Sequence, residues 1–210
     1  MLIKGNIIKS VLSEYDIQIT GALHVGAHEC EEMSFYTSYL NITQNDVLWL
    51  EAMENKVIEN KNRRIPNVYN AVVTDKDNDE VIFNVSNNGQ SSSILEFGTH
   101  EIEHPNVKFI EKVKMKSITI DTFMKNNNLD PSKYNFWNFD IQGAELLALK
   151  GAENAVKHAK AIYLEVNEKE LYKGCALIGD IDKHLKERGF ERVVTNITCH
   201  KWGDALYVKM

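Results

Sequence analysis

Short apolar runs alternate with amphipathic stretches along this 210-residue chain, and most of the runs stop at a small or acidic residue. Residues 6–15 carry apolar side chains at helical spacing. Ala22-Leu23-His24-Val25 then reads as a buried strand stopping at Gly26. Met33, Tyr36 and Leu40 share one face of a helix predicted over 31–40. Val47-Leu48-Trp49-Leu50 is a second strand, stopping at Glu51, and 54–63 is a charged helix. Residues 68–73 form a third strand ahead of Thr74-Asp75. This order, β-α-β-α-β, predicts an α/β fold whose parallel sheet has helical crossovers.

The middle of the chain breaks that rhythm. Val81-Ile82-Phe83-Asn84-Val85 is strand-like, Asn87-Asn88-Gly89 is a turn, and 91–97 and 107–120 contain extended stretches. Residues 80–116 therefore read as a β-containing insertion or lid, with a mobile loop expected at 98–105. The alternation then resumes. Phe136-Trp137-Asn138-Phe139 is a strand stopping at Asp140, followed by helical stretches at 144–149 and 153–158. Ala161-Ile162-Tyr163-Leu164 is a strand stopping at Glu165. A helix over 178–188 ends before Gly189, and 190–196 with 205–208 make a final, antiparallel pair. No linker or repeat divides 1–210, so a single domain is expected.

Composition narrows the functions open to such a fold. With 30 acidic against 24 basic side chains, the formal charge is −6, which disfavours a nucleic-acid partner. Cys30, Cys175 and Cys199 are scattered and odd in number, as expected of a reducing compartment without disulfides or a zinc site. No apolar run matches a membrane span and no cleavable signal pattern opens the chain, so the expected location is the cytoplasm.

In an open parallel sheet, ligands settle beyond the carboxyl ends of the strands, which here carry Gly26, Glu51, Asp75, Asp140 and Glu165. Gly26 and Ala27 are small enough for a backbone to approach a ligand, although a plain strand-to-helix turn needs the same residues. Glu51 follows Gly26 at the spacing of an acid that binds ribose hydroxyls, and Ala52 lies beside it. Asp75 is either an adenine contact or a turn acid. Asp140-Ile141-Gln142-Gly143-Ala144-Glu145 places an acid over the sheet edge and Glu145 in a first helical turn, where it suits the helix dipole. Asp140 and Glu165 can act as general base, or can join Asn167 in binding a divalent cation such as magnesium. Ser92, His100, Gln142 and Asn167 are candidate acceptor contacts, and His24 packs at its strand end.

These segments together resemble the FkbM family of methyltransferases. The resemblance runs through His24-Val25-Gly26-Ala27-His28, Trp49-Leu50-Glu51-Ala52, Ser91-Ser92-Ser93-Ile94-Leu95 and Ile118-Thr119-Ile120-Asp121. It continues in Asp140 to Glu145, Leu149-Lys150-Gly151-Ala152 and Tyr163-Leu164-Glu165-Val166-Asn167. Cys30 stands where many members have Gly. The resemblance implies a Rossmann-like class I methyltransferase fold with a mostly parallel seven-stranded sheet. It also implies S-adenosylmethionine as donor and a hydroxyl of a sugar, glycan or small molecule as acceptor. By position, His24, Gly26, Ala27, Glu51, Ala52, Asp75 and Asp140 would meet the cofactor, and Asp140 would face the transferring methyl group. An oligomer is compatible with this reading.

Competing readings make different demands. A nicotinamide-dependent oxidoreductase would need a full glycine fingerprint, and only Gly26 stands in a glycine position. A non-catalytic Rossmann-like binding module could dispense with the strand-end acids, which are present. A nucleic-acid methyltransferase would sit poorly with the acidic balance.

Overall fold

The computed structural model describes residues 1–210. The chain runs α1 (Gly5–Glu14), β1 (Ala22–Val25), α2 (Met33–Tyr39), β2 (Val47–Glu51), α3 (Glu54–Asn62), β3 (Val68–Asn70) and β4 (Val72–Val73). It continues through β5 (Glu80–Ser86), α4 (His100–Glu103), β6 (Phe109–Ile118), α5 (Ile120–Asn126), β7 (Phe136–Phe139) and α6 (Glu145–Lys150). It ends with β8 (Ala161–Asn167), α7 (Ile178–Lys186), β9 (Phe190–Ile197) and β10 (Trp202–Lys209). Seven strands form one sheet in the order β3-β2-β1-β7-β8-β10-β9, with β10 antiparallel to both neighbours.

The central strands are apolar on both faces because both faces are covered. Leu23, Val25, Leu48, Leu50, Phe139 and Leu164 belong to one core layer. Their alternate neighbours Ala22, Val47, Trp49, Phe136 and Tyr163 belong to the opposite layer, under α1 and α2. A one-residue slip of any of these strands would exchange the two layers.

The third predicted strand is in fact two. The chain leaves the large sheet at Ala71, and Val72–Val73 pairs instead with β6 in a three-stranded sheet, order β4-β6-β5. The predicted insertion is thus a long antiparallel β5–β6 hairpin. The segment expected to be a mobile loop is packed. It contains α4, and its His100 is buried and stacked on Phe97 with ring centroids 4.3 Å apart. Phe97 also bridges to Tyr172.

α5 is absent from the sequence expectation, which ran extended structure through 120. Thr119 caps it, its hydroxyl accepting from the Thr122 N–H at 3.1 Å. Asp121 in turn accepts from the Asn154 and Ala155 N–H groups at 2.9 and 2.8 Å. The Asp121 N–H donates to the Gly151 carbonyl at 3.1 Å, so the Ile118–Asp121 and Leu149–Ala152 segments dock on each other. Gly151 is required there, because a Cβ would lie 2.2 Å from the Thr74 carbonyl oxygen. The three cysteines are unpaired, and no helix is long and apolar enough to cross a membrane.

Candidate functional site

The carboxyl ends of β1, β2 and β7, with Glu165 of β8, open into a cavity of about 490 Å³, walled on its outer side by Phe83, Ser92 and Ile94 of the insertion. That volume is in the range of small-ligand sites. Two groups of carboxylates line opposite parts of it.

At the first, Glu51 ends β2 and is buried. The His28 N–H donates to Oε2 at 2.6 Å and the Met53 N–H to Oε1 at 2.7 Å. The turn that delivers the His28 amide is tight, with His28 at φ 40° and Cys30 at φ 57°. Cys30 thus holds a left-handed conformation that glycine adopts without strain. Burial raises the Glu51 carboxyl, while the Met53 and His28 amides pull it back down. Each oxygen keeps a free lone pair for a hydroxyl donor. Gly26 has φ 93°, and a Cβ on it would lie 1.9 Å from the Asp140 carbonyl oxygen. Its smallness is demanded by the β1–β7 neighbour as well as by the open cavity. Ala52 lines the wall beside Glu51.

At the second, Asp140, Glu165 and Asp204 lie in one cross-strand row. Phe139 pairs with Leu164, so Asp140 stands level with Glu165, and Glu165 pairs directly with Asp204 across β8 and β10. Glu165 is a residue inside its strand, not the residue after it. Gln142, at φ 57°, spans the row: its Nε2 donates to Asp140 Oδ1 at 2.6 Å and to Glu165 Oε2 at 3.1 Å. Its Oε1 accepts from the Tyr172 hydroxyl at 2.6 Å. Asp204 accepts from the Tyr163 hydroxyl and the Leu2 N–H.

Electrostatics follow from this crowding. Asp140 is open to the cavity but surrounded by protein; desolvation, then the charges of Asp204 and Glu32, raise its carboxyl despite the Gln142 bond. Burial, then Asp140, Glu145 and Asp204, hold Glu165 well above the ordinary carboxylate range. Like charges this close favour sharing of protons. Glu145 is buried, and burial pushes its carboxyl up to about 7. It accepts from the Ile141 and Gly143 N–H groups at 3.0 and 3.2 Å. It clamps the turn that presents Asp140 and Gln142, a larger role than the helix-dipole acid read from the sequence.

Other expected residues fall elsewhere. Asp75 is exposed beyond β4 and outside the cavity, because the chain has already left the large sheet at Ala71. His24 is a core residue: it stacks on Trp49 at 4.8 Å, its Nδ1 lies 2.7 Å from the Tyr36 hydroxyl, and burial pushes its pKa down to about 4. Ala27 is buried against β2, its N–H donating to the Leu50 carbonyl at 3.1 Å, and does not line the cavity. Asn167 is buried off the cavity, opposite Trp202 in β10. Ser92 lines the wall, but its hydroxyl is engaged at 2.7 Å with the Gly89 carbonyl and at 3.0 Å with the Ser86 N–H. His100 lines the cavity, and burial lowers its pKa to about 4, so it is neutral at pH 7. No group of His, Cys, Asp or Glu is arranged to hold a metal ion, so the Asp140-Glu165-Asn167 cation reading is not supported.

Asp204, Tyr163, Tyr172 and Glu32 escaped the sequence reading. Asp204 had a usable signal, a lone acid directly ahead of the apolar run 205–208. Tyr172 had none, because it reaches Gln142 from an irregular loop.

The family described as "Methyltransferase FkbM domain" matches residues 24–192. Among solved structures, methyltransferase FkbM from Methylobacillus flagellatus KT is similar with TM-score 0.56 at 16% identity, covering 91% of this chain and 44% of that one. Sp1610 of Streptococcus pneumoniae is similar with TM-score 0.50 at 11% identity, covering 100% of this chain and 72% of that one. At such identities both likenesses concern the fold. The chain spans less than half the length of the Methylobacillus protein. No curated protein matches the chain.

Proposed function

The chain belongs to the FkbM methyltransferase family, and from that premise we propose that it transfers a methyl group from S-adenosylmethionine to a hydroxyl of a sugar, glycan or small molecule. The observation that carries the proposal is that one cavity joins a backbone-anchored acid, Glu51, to the Asp140–Gln142–Glu165 row. Glu51 would hold the ribose hydroxyls through its free lone pairs, with Gly26 and Ala52 leaving the wall open beside it. When bound, S-adenosylmethionine supplies a methyl carbon made electrophilic by its sulfonium.

The chain's own contribution is positioning and proton removal. Asp140 is the member of the row that adjoins Gly26, and its raised pKa makes it a stronger base than an exposed carboxylate. It would take the proton of the acceptor hydroxyl as the oxygen bonds to carbon. Gln142 holds Asp140 and Glu165 at a fixed separation, and Glu145 holds the turn beneath them. The insertion at 80–116 would act as lid and select the acceptor. A small-molecule or glycan acceptor in the cytoplasm, with no nucleic acid or membrane as partner, completes the proposal.

Calorimetric titration with S-adenosylhomocysteine tests it, with NADH as control ligand. Saturable binding of the former alone supports the reading, and binding of NADH alone sinks it. Product S-adenosylhomocysteine released over a panel of hydroxyl acceptors then tests the transfer.

A further inference from the structure

Glu31, Glu32, Glu51, Asp140, Glu165 and Asp204 line the cavity, and no lysine or arginine does. Glu51 is neutralised in part by backbone donors. In the row only Asp204 has one, the Leu2 N–H; Glu165 and Asp204 are directly opposed across two antiparallel strands, a placement that destabilises when both are charged. Beside this row is a niche of about 10 Å³, room for roughly one small polar group. Met1, Glu32, Asn138, Tyr163 and the three carboxylates are among its walls. Glu165 Oε1 and Asn138 Oδ1 are buried there without a donor, in side chains 6% and 2% exposed.

With Glu165 ionised, both orphan atoms are acceptors. Buried acceptors of this kind are ordinarily satisfied, and neither Met1 nor any other donor of the chain bonds these two, so their convergence calls for a donor from outside the chain. A protonated amine is a compact group with donors only, and it carries the charge that would relieve the row. A divalent metal would need a tighter set of ligands than these side chains form. The chain supplies a partial stand-in: the Gln142 amide donates to Asp140 and Glu165 at once. That single nitrogen bridge also places the two carboxylates close enough to serve neighbouring groups of one small ligand.

We infer that the acceptor is an amino alcohol or amino sugar, whose ammonium seats between Glu165, Asp204 and Asn138 while its adjacent hydroxyl faces Asp140. The inference rests on the methyltransferase reading of the same cavity and adds a substrate class to it. It excludes acceptors that present a phosphate or carboxylate to this end, since like charge across a desolvated contact is strongly unfavourable.

The test uses the whole chain saturated with S-adenosylhomocysteine and a matched ligand series: 2-amino-1,3-propanediol, glycerol and glycerate. The first two differ only in an ammonium for a hydroxyl. We expect the amine to bind at least about tenfold more tightly than glycerol, a difference of about 1.4 kcal/mol, and glycerate to bind more weakly than either. Glu165→Gln should erase most of that preference while leaving S-adenosylhomocysteine affinity within about threefold. The wild-type series decides the matter even if the variant fails to fold. Equal affinities for amine and glycerol, absence of binding by all three, or tightest binding by glycerate would overturn the inference while leaving the donor site standing. Failure of S-adenosylhomocysteine itself to bind would remove the proposed function, and this inference with it.

Discussion

The two ends of the cavity hold their carboxylates by opposite means. Glu51 hangs on the backbone amides of His28 and Met53, groups that the β1 and β2 turns fix in place. Asp140, Glu165 and Asp204 hang mainly on other side chains, Gln142 and Tyr163, with the Leu2 N–H on Asp204 alone, and crowd one another. A backbone-pinned acid is a fixed acceptor, suited to one unchanging ligand. A row of mutually repelling acids responds to whatever proton or cation arrives, which suits chemistry.

The sharpest way to break this contrast is to neutralise one member at each end. Asp140→Asn keeps the Oδ1 acceptor for Gln142 but cannot take a proton. Turnover should fall by roughly 10²–10⁴-fold, the usual worth of a positioned general base, while calorimetric affinity for S-adenosylhomocysteine stays within about threefold. Unimpaired methyl transfer by this variant would leave the row without a catalytic member.

Glu145 should dominate stability at the acidic end. Truncation to Ala strands two N–H donors, one buried and one partly buried, at about 1–3 kcal/mol each, and urea unfolding should register a loss of about 2–4 kcal/mol. Glu145→Gln keeps one acceptor and should cost less. The two proteins should also differ in pH dependence. A carboxyl raised from 4.5 to about 7 binds more protons folded than unfolded, so its stabilising contribution is complete below pH 4.5 and lost as pH rises through about 7. Wild type should therefore lose stability relative to Glu145→Gln between those values. A constant difference across that window would remove the assigned protonation. His24, lowered to about 4, works the other way in both proteins: its contribution is present above 6.5 and lost as pH falls toward 4.

How far the sequence carried this contrast depends on which bonds were local. The strand ends Gly26, Glu51 and Asp140 were legible because an apolar run followed by an acid or glycine is a chain-local signal. The parallel α/β sheet followed from the alternation of those runs. The α5 helix was missed although Thr119 is a good cap, because Ile118 and Ile120 continue the β-branched run of β6. The partners of the acidic row were hidden for a different reason. Asp204 meets Glu165 from 39 residues away in sequence through an antiparallel register, and Tyr172 reaches Gln142 from a loop 30 residues away in sequence. Residue type alone announces neither contact.

Glu51→Ala should produce a middle-sized effect at the other end. It removes the ribose acceptor and frees the His28 and Met53 amides, so S-adenosylhomocysteine should bind at least about tenfold more weakly, about 1.4 kcal/mol. Turnover at saturating donor should change much less than in Asp140→Asn. If both variants lose turnover alone, the cavity has one functional end and the distinction drawn between its two ends fails.

The smallest expected effect comes from Asp75, and it probes where the donor end stops. On the sequence pattern, 68–73 is one strand and Asp75 sits over the same rim as Glu51. In the folded chain Asn70 is the last residue paired to β2, Ala71 turns away, and Val72–Val73 joins β6. Ala71, Val72 and Val73 line the cavity, whereas Asp75 is exposed beyond it. The wall available to an adenine ring is therefore apolar backbone and valine rather than a carboxylate. Asp75→Ala should leave S-adenosylhomocysteine affinity within about twofold, under about 0.5 kcal/mol. A loss comparable to that of Glu51→Ala would mean that the chain returns to the rim when the donor binds, and that the break at Ala71 is a hinge instead of a fixed exit.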